Sequence, residues 1–211
     1  MIKGYYINLE ERKDRVEHFE KLKNKYVFFK NVERFDAIRN KNGAIGCGLS
    51  HIKVLTKLLE YQDDYMMVIE DDLCILNDNN YNEFVQYFQN IRNEKDWDII
   101  VLTPRGDKKN IQNSLNMNNN NFFEIVNNQT ATGYIIKKSF IPKLIENLKK
   151  SIEGLLKNLD PNTYAIDQYW KRIQNDNHFY YFNKIFAGQL IGYSNIEKRN
   201  INYNQRYLSQ K

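Results

Sequence analysis

The sequence predicts an α/β fold, a mostly parallel sheet flanked by helices. Two observations predict it. Short apolar runs alternate with amphipathic helical patterns through the first half of the chain. Several polar residues with the most chemical potential, Asn8, Asp36 and the run Glu70-Asp71-Asp72, fall where those apolar runs end. Strands that alternate with helices pair in parallel through right-handed crossovers. Ligands of such sheets gather beyond the carboxyl ends of the strands. The shared placement of these residues therefore argues for one site.

Each element has its own signal. Gly4 to Leu9 is a short, Tyr-containing apolar run and reads as the first strand. Arg12 to Tyr26 carries Val16, Phe19 and Leu22 at helical spacing. Tyr26 to Phe29 reads as a second strand, and Arg39 to Gly43 as a loop. Leu49 to Tyr61 places Leu49, Ile52, Leu55, Leu58 and Leu59 on one helix face. Tyr65 to Ile69 is the strand that delivers the carboxylates. Tyr81 to Ile91 is a helix with Phe84, Tyr87, Phe88 and Ile91 inward, and Ile99 to Leu102 is a strand closed by Thr103-Pro104.

The polar stretch from Arg105 to Asn121 reads as a long loop able to close over a ligand. Phe122 to Val126 and Gly133 to Ile136 follow as strands. Phe140 to Leu148, Ile152 to Leu159 and Tyr164 to Ile173 read as three helices, with Pro142 in the first turn of the first. Phe179 to Phe182 is a late strand. No internal repeat is visible. The expected organisation is one domain over residues 1–211.

Composition narrows the function. The net charge of +5 suggests an anionic partner, but its basic residues are scattered. No basic block, zinc finger or RNA-binding motif is present, which argues against nucleic acid. No apolar run approaches membrane-spanning length, so no transmembrane segment is expected, and no signal peptide is visible at Met1-Ile2-Lys3. Cys47 and Cys74 are too few for a disulfide framework and lack metal-ligand spacing. Read as reduced thiols they favour a cytoplasmic location, in a bacterium or in the host cell or virion of a large DNA virus.

The candidate site is built around three consecutive carboxylates. Like charges at a strand end repel unless a cation sits among them. A divalent metal holding a diphosphate would meet that need. An acidic, solvated loop is the plainer alternative, and the triplet alone does not separate them. Arg12 and Arg15, near a helix start, suit a phosphate or a base, or form a solvated first turn. The Gly-rich run Gly43-Ala44-Ile45-Gly46-Cys47-Gly48 would let backbone approach an anion or let a helix pack closely. Ser50 and His51 follow it. Asp167, near a helix start and close to Trp170, is a candidate base with a raised pKa, or simply an acid favoured by the helix dipole.

Taken in order, these segments resemble glycosyltransferase family 25, which includes bacterial lipopolysaccharide and collagen galactosyltransferases. The matching pieces are Tyr6-Ile7-Asn8-Leu9 with Arg12 and Asp14-Arg15, then Phe35-Asp36-Ala37. Gly43-Ala44-Ile45-Gly46-Cys47 with Leu49-Ser50-His51 follows, then Ile69-Glu70-Asp71-Asp72. Thr130-Ala131-Thr132-Gly133-Tyr134, Ala165-Ile166-Asp167, Gln189 and Tyr193-Ser194-Asn195-Ile196-Glu197 complete the set. The resemblance implies a GT-A-like fold of Rossmann type, with a nucleotide-binding half over about 1–103 and an acceptor half over about 122–200, a UDP-sugar donor carrying galactose or glucose, and inverting transfer to a glycan or a protein hydroxyl. It further implies Mn²⁺ or Mg²⁺ held through Asp72. Asn8, Arg12, Arg15, Asp36, Ser50, His51, Glu70 and Asp71 would bind the donor, and Asp167 would act as base. Asn195 departs from the family pattern, where relatives often carry Asp. That departure keeps open a second reading: a catalytically degenerate protein that binds a nucleotide sugar or glycan without turnover.

Overall fold

Alternation along the strands divides the core into two layers. Tyr5 and Ile7 pack on one face of the sheet and Tyr6 on the other; Met66 and Val68 oppose Met67 and Ile69 in the same way. The computed structural model describes residues 2–94, 96–109, 121–194 and 196–203. The chain runs β1 (Gly4–Asn8), α1 (Lys13–Lys25), β2 (Val32–Asp36), α2 (Gly43–Leu58), β3 (Tyr65–Glu70), β4 (Leu73–Ile75) and α3 (Asp78–Ile91). It continues through β5 (Ile99–Val101), β6 (Asp107–Lys108), β7 (Phe122–Val126), β8 (Gly133–Lys137) and α4 (Ile141–Leu156). Three single turns, α5 (Pro161–Tyr164), α6 (Ile166–Tyr169) and α7 (Lys171–Gln174), lead to β9 (Phe179–Phe182), β10 (Ala187–Gln189), β11 (Gly192–Ser194) and β12 (Arg199–Ile201).

The main sheet has the order β2-β1-β3-β8-β5-β9-β7-β6. Six of its eight strands run one way; β8 and β7 run against them. Helices α1 and α3 cover one face through Phe19, Leu22, Tyr81, Phe84 and Phe88. Helices α2 and α4 cover the other through Val54, Leu55, Leu58, Leu144 and Leu148. The α/β architecture is therefore the one the alternating pattern predicts. The chain's many aromatics are spent in the first layer, where Phe84 stacks on Phe186 at 4.4 Å and meets Phe28, Phe88, Phe122 and Phe182.

Several boundaries differ from the sequence reading. Tyr26 to Phe29 is not a strand: Val27–Phe29 forms a 3-10 turn that buries Phe28 and Phe29. The second strand is Val32–Asp36, a half-polar edge strand whose pattern is weak because Glu33 and Asp36 are exposed and only Val32 is fully buried. Helix α2 starts at Gly43, so the Gly-rich run lies inside the helix. Asn42 caps it, accepting from the Ala44 amide at 3.1 Å. The two expected helices within Phe140 to Leu159 are one, because Lys149 and Lys150 face solvent while Ser151 is buried and donates to the Tyr164 carbonyl at 2.6 Å. The stretch Tyr164 to Ile173 breaks into short turns at Ala165, whose backbone is extended (φ −58°, ψ 147°). Residues 110–120, most of the expected closing loop, lie outside the described residues.

Candidate functional site

Register places the chemistry at one edge. Asn8 pairs with Asp36, Ile7 with Glu70, and Ile69 with Gly133. Thr130 to Thr132 therefore enter the same edge from β8. A cavity of about 860 Å³ opens there, bounded also by the start of α1, the loop before α2, the α5–α6 turns and the β11–β12 hairpin. The acidic triplet is pinned by backbone from three segments. The Glu70 amide donates to Thr132 O (2.7 Å), the Asp71 amide to Ile7 O (3.2 Å), and the Leu190 amide to Asp72 O (2.7 Å).

The three carboxylates have different surroundings. Glu70 Oε1 accepts from His51 Nε2 (3.3 Å) and from the Cys47 thiol (3.5 Å), and Oε2 from Thr132 Oγ1 (3.2 Å). Burial pushes its pKa up, but these partners, His51 foremost, outweigh it and hold the carboxyl below its usual value. Asp71 Oδ2 accepts from Asn8 Nδ2 at 2.6 Å; burial still pushes it to about 6. Asp72 Oδ2 accepts from Gln189 Nε2 at 3.2 Å. Its Oδ1 is buried without a hydrogen-bond partner. Burial first, then the charges of Glu70 and Asp71, raise Asp72 to about 7. A buried acceptor with no donor beside two other carboxylates is the environment that a hard cation relieves.

Cationic groups face the triplet. Arg12 forks onto Asp14 at 2.9 and 2.8 Å and reaches the Tyr193 carbonyl at 3.3 Å, tying α1 to the hairpin. Arg15 lines the cavity while buried, and its Nη1 has no hydrogen-bond partner. Its Nε lies 3.9 Å from Asp14 Oδ2, and an anion in the cavity would satisfy the open Nη1. Arg105, just beyond the end of β5, also lines the cavity and packs over the Tyr203 ring at 4.9 Å.

Of the residues expected at the site, Arg12, Arg15, Ser50, Glu70, Asp71, Asp72 and Asp167 line the cavity. Asn8, His51 and Asp36 do not. Asn8 is buried behind Asp71 and also accepts from Arg34 Nε at 2.9 Å. His51 is buried between Tyr134 Oη (3.0 Å) and Glu70. Asp36 is exposed and paired with Arg34 at 2.7 Å. Ser50 is a structural tie: it donates to Gly46 O (2.7 Å) and accepts from the Ile38 amide (2.8 Å). Gly46 serves close packing, since a Cβ there would lie 2.6 Å from Ile38 O. Asp167, in the first turn of α6, is raised to about 6, by burial first and then by Glu70, against Arg105 and Lys171. Trp170 points into the core, donating to Asn128 O at 2.7 Å. Asn195 lies outside the described residues.

Sequence reasoning missed Arg105 and the role of Gln189. The strand-end rule would have found Arg105, two residues beyond Thr103 at the same carboxyl edge. Gln189 arrives through β10, which pairs with β4 across more than a hundred residues and carries no local signal.

Comparison with known proteins identifies the family. The model for glycosyltransferase family 25 (LPS biosynthesis protein) matches residues 41–170. The chain belongs to glycosyltransferase family 25. No curated protein matches it. Among solved structures, a mannose-1-phosphate geranyltransferase from Thermus thermophilus is 8% identical, with a TM-score of 0.43. The alignment covers 87% of this chain and 60% of that one, so this chain spans less than two thirds of that protein's length. An apo UDP-glucose pyrophosphorylase is 12% identical, with a TM-score of 0.46, covering 86% of this chain and 72% of that one. Among the described residues, no helix is long and apolar enough to cross a membrane.

Proposed function

We propose that the chain transfers a hexose, galactose or glucose, from a UDP-sugar to a hydroxyl of a glycan or protein, with inversion and with Mn²⁺ or Mg²⁺ bound. The observation that carries this reading is the buried, unpartnered Asp72 Oδ1 beside Asp71 in the same cavity as the unpaired Nη1 of Arg15. That combination suits a divalent cation and a diphosphate side by side. Asp72 would hold the metal, with Asp71 beside it. When bound, the ion would neutralise the charge that develops on the leaving diphosphate. Arg15 and Arg12 would hold the phosphates and fix their orientation. Asn8 keeps Asp71 aimed, and His51 and Thr132 fix the carboxylate of Glu70, which would lie beside the sugar or ribose.

An inverting displacement needs a base on the acceptor side. Asp167 would take the acceptor hydroxyl's proton as the oxygen bonds to the anomeric carbon and UDP leaves. Its raised pKa gives it a proton affinity suited to that task near neutral pH. The test is a panel of UDP-sugars incubated with Mn²⁺. Slow donor hydrolysis to UDP, abolished by EDTA, is the expected result. Failure of every donor to be hydrolysed or bound would contradict the proposal. Tight binding without turnover would favour the degenerate reading that Asn195 leaves open.

A further inference from the structure

Cys47, His51 and Glu70 meet in one place. Their ligand atoms, Sγ, Nε2 and a carboxylate oxygen, all lie within 4.8 Å of one another. Sγ is 3.5 Å and Nε2 is 3.3 Å from Glu70 Oε1. Zinc binds sulfur at ~2.3 Å, imidazole at ~2.0–2.1 Å and carboxylate at ~2.0–2.2 Å; at tetrahedral angles these lengths set donor atoms about 3.3–3.6 Å apart. Two edges of the triangle already have that length.

We propose that Cys47 Sγ, His51 Nε2 and Glu70 Oε1 form a second metal site, for a borderline-soft ion of the zinc type. It is separate from the hard-cation position at Asp72, and it goes beyond the transferase reading. Sulfur and imidazole select zinc-type ions, whereas all-oxygen sites take manganese or magnesium. The support around the three donors is that of a prepared site. Cys47 and His51 sit four residues apart on α2, so one rigid element carries both. His51 is 1% exposed, and its other nitrogen, Nδ1, meets Tyr134 Oη at 3.0 Å. Thr132 Oγ1 holds Glu70 Oε2 at 3.2 Å, which leaves Oε1 aimed at the other two donors. Cys47 and Glu70 line the cavity, so a fourth position is open to water.

Without the ion, the thiol and the imidazole both hydrogen-bond to Oε1, which satisfies the groups. On binding, the thiol proton leaves to solvent. The imidazole then carries its proton on Nδ1, donating it to Tyr134 Oη. The ion takes both vacated donor atoms together with Oε1, and Oε2 keeps its bond to Thr132.

The test is a Co²⁺ titration of the whole chain with excess Mg²⁺ present to fill the hard site. The wild type and Cys74→Ser should develop a thiolate-to-cobalt charge-transfer band with tetrahedral visible bands. Cys47→Ser should lose the charge-transfer band while circular dichroism stays native. No such band in the wild type, or one that survives in Cys47→Ser or vanishes in Cys74→Ser, overturns the proposal. X-ray absorption of the zinc-loaded wild type needs no variant: one sulfur among nitrogen and oxygen scatterers is expected. A shell with no sulfur or with two sulfurs overturns it. Neither readout uses turnover, so failure here is distinct from failure of the transferase reading.

Discussion

Replacing Asp72 by Asn should stabilise the metal-free protein while abolishing metal-dependent turnover. The buried carboxyl is raised from 3.8 to about 7. A raised acid is favoured neutral in the fold, so ionising it costs stability. The cost is absent below about pH 4, grows through the window from about 4 to about 7, and is complete above it. At ~1.4 kcal/mol per pH unit the ceiling is roughly 4 kcal/mol. Partial access of solvent to the residue brings this to about 2 kcal/mol. Asn removes the charge and can keep its oxygen toward Gln189, placing an N–H₂ donor where Oδ1 had no partner. For a chain of this length the gain is about 4–8 °C in Tm. The assay is thermal unfolding in EDTA at pH 8 and again at pH 5, where the gain should shrink. Adding Mn²⁺ and UDP should then stabilise the wild type, by ~2.7 kcal/mol at a hundred times Kd, and the variant much less. A variant less stable than wild type in EDTA, or equally stabilised by Mn²⁺, would refute the reasoning.

Three further outcomes follow from the same geometry. Arg15→Ala should weaken UDP binding ~10–100-fold, the loss of one charge-assisted bond of ~1.5–3 kcal/mol, measured by calorimetry. Asp167→Asn should lower transfer ~10²–10⁴-fold with UDP binding retained. Because Asp167 must be ionised to act, wild-type kcat/KM should fall as pH drops through about 6; a limb near the ordinary value of 3.8 would remove it as base. Gly46→Ala should cost ~1–3 kcal/mol of strain against Ile38 O, read by urea unfolding, and weaken UDP binding because Ile38 to Asn40 line the cavity.

The sheet's centre was legible because its signals are local. Strands β3, β5, β8 and β9 are nearly continuous apolar runs, β7 is one interrupted only by Glu124, and α1 and α3 show clean helical spacing. What failed depends on partners far along the chain. Phe28 and Phe29 resemble a strand in sequence, but they serve as plugs between α1 and α3. Strands β4 and β10 are three residues each and exist because each pairs with the other. The site divides in the same way. The strand-end rule put Glu70, Asp71 and Asp72 together, but could not tell a residue that faces the cavity from one that stands behind it. Asn8 and His51 are of the second kind, each holding a carboxylate that faces the cavity. Cys47 and His51 stand at i and i+4 on α2, a spacing that can hold a metal, but the third donor is invisible in the sequence because only β3 brings Glu70 to both.

The most direct measurement is a crystal soaked with UDP and Mn²⁺, with anomalous diffraction recorded at the manganese edge. The account predicts an anomalous peak in contact with the Asp72 carboxylate, with the diphosphate bound to it and to Arg15. A peak elsewhere, or UDP bound with the Asp72 carboxylate left bare, would contradict it.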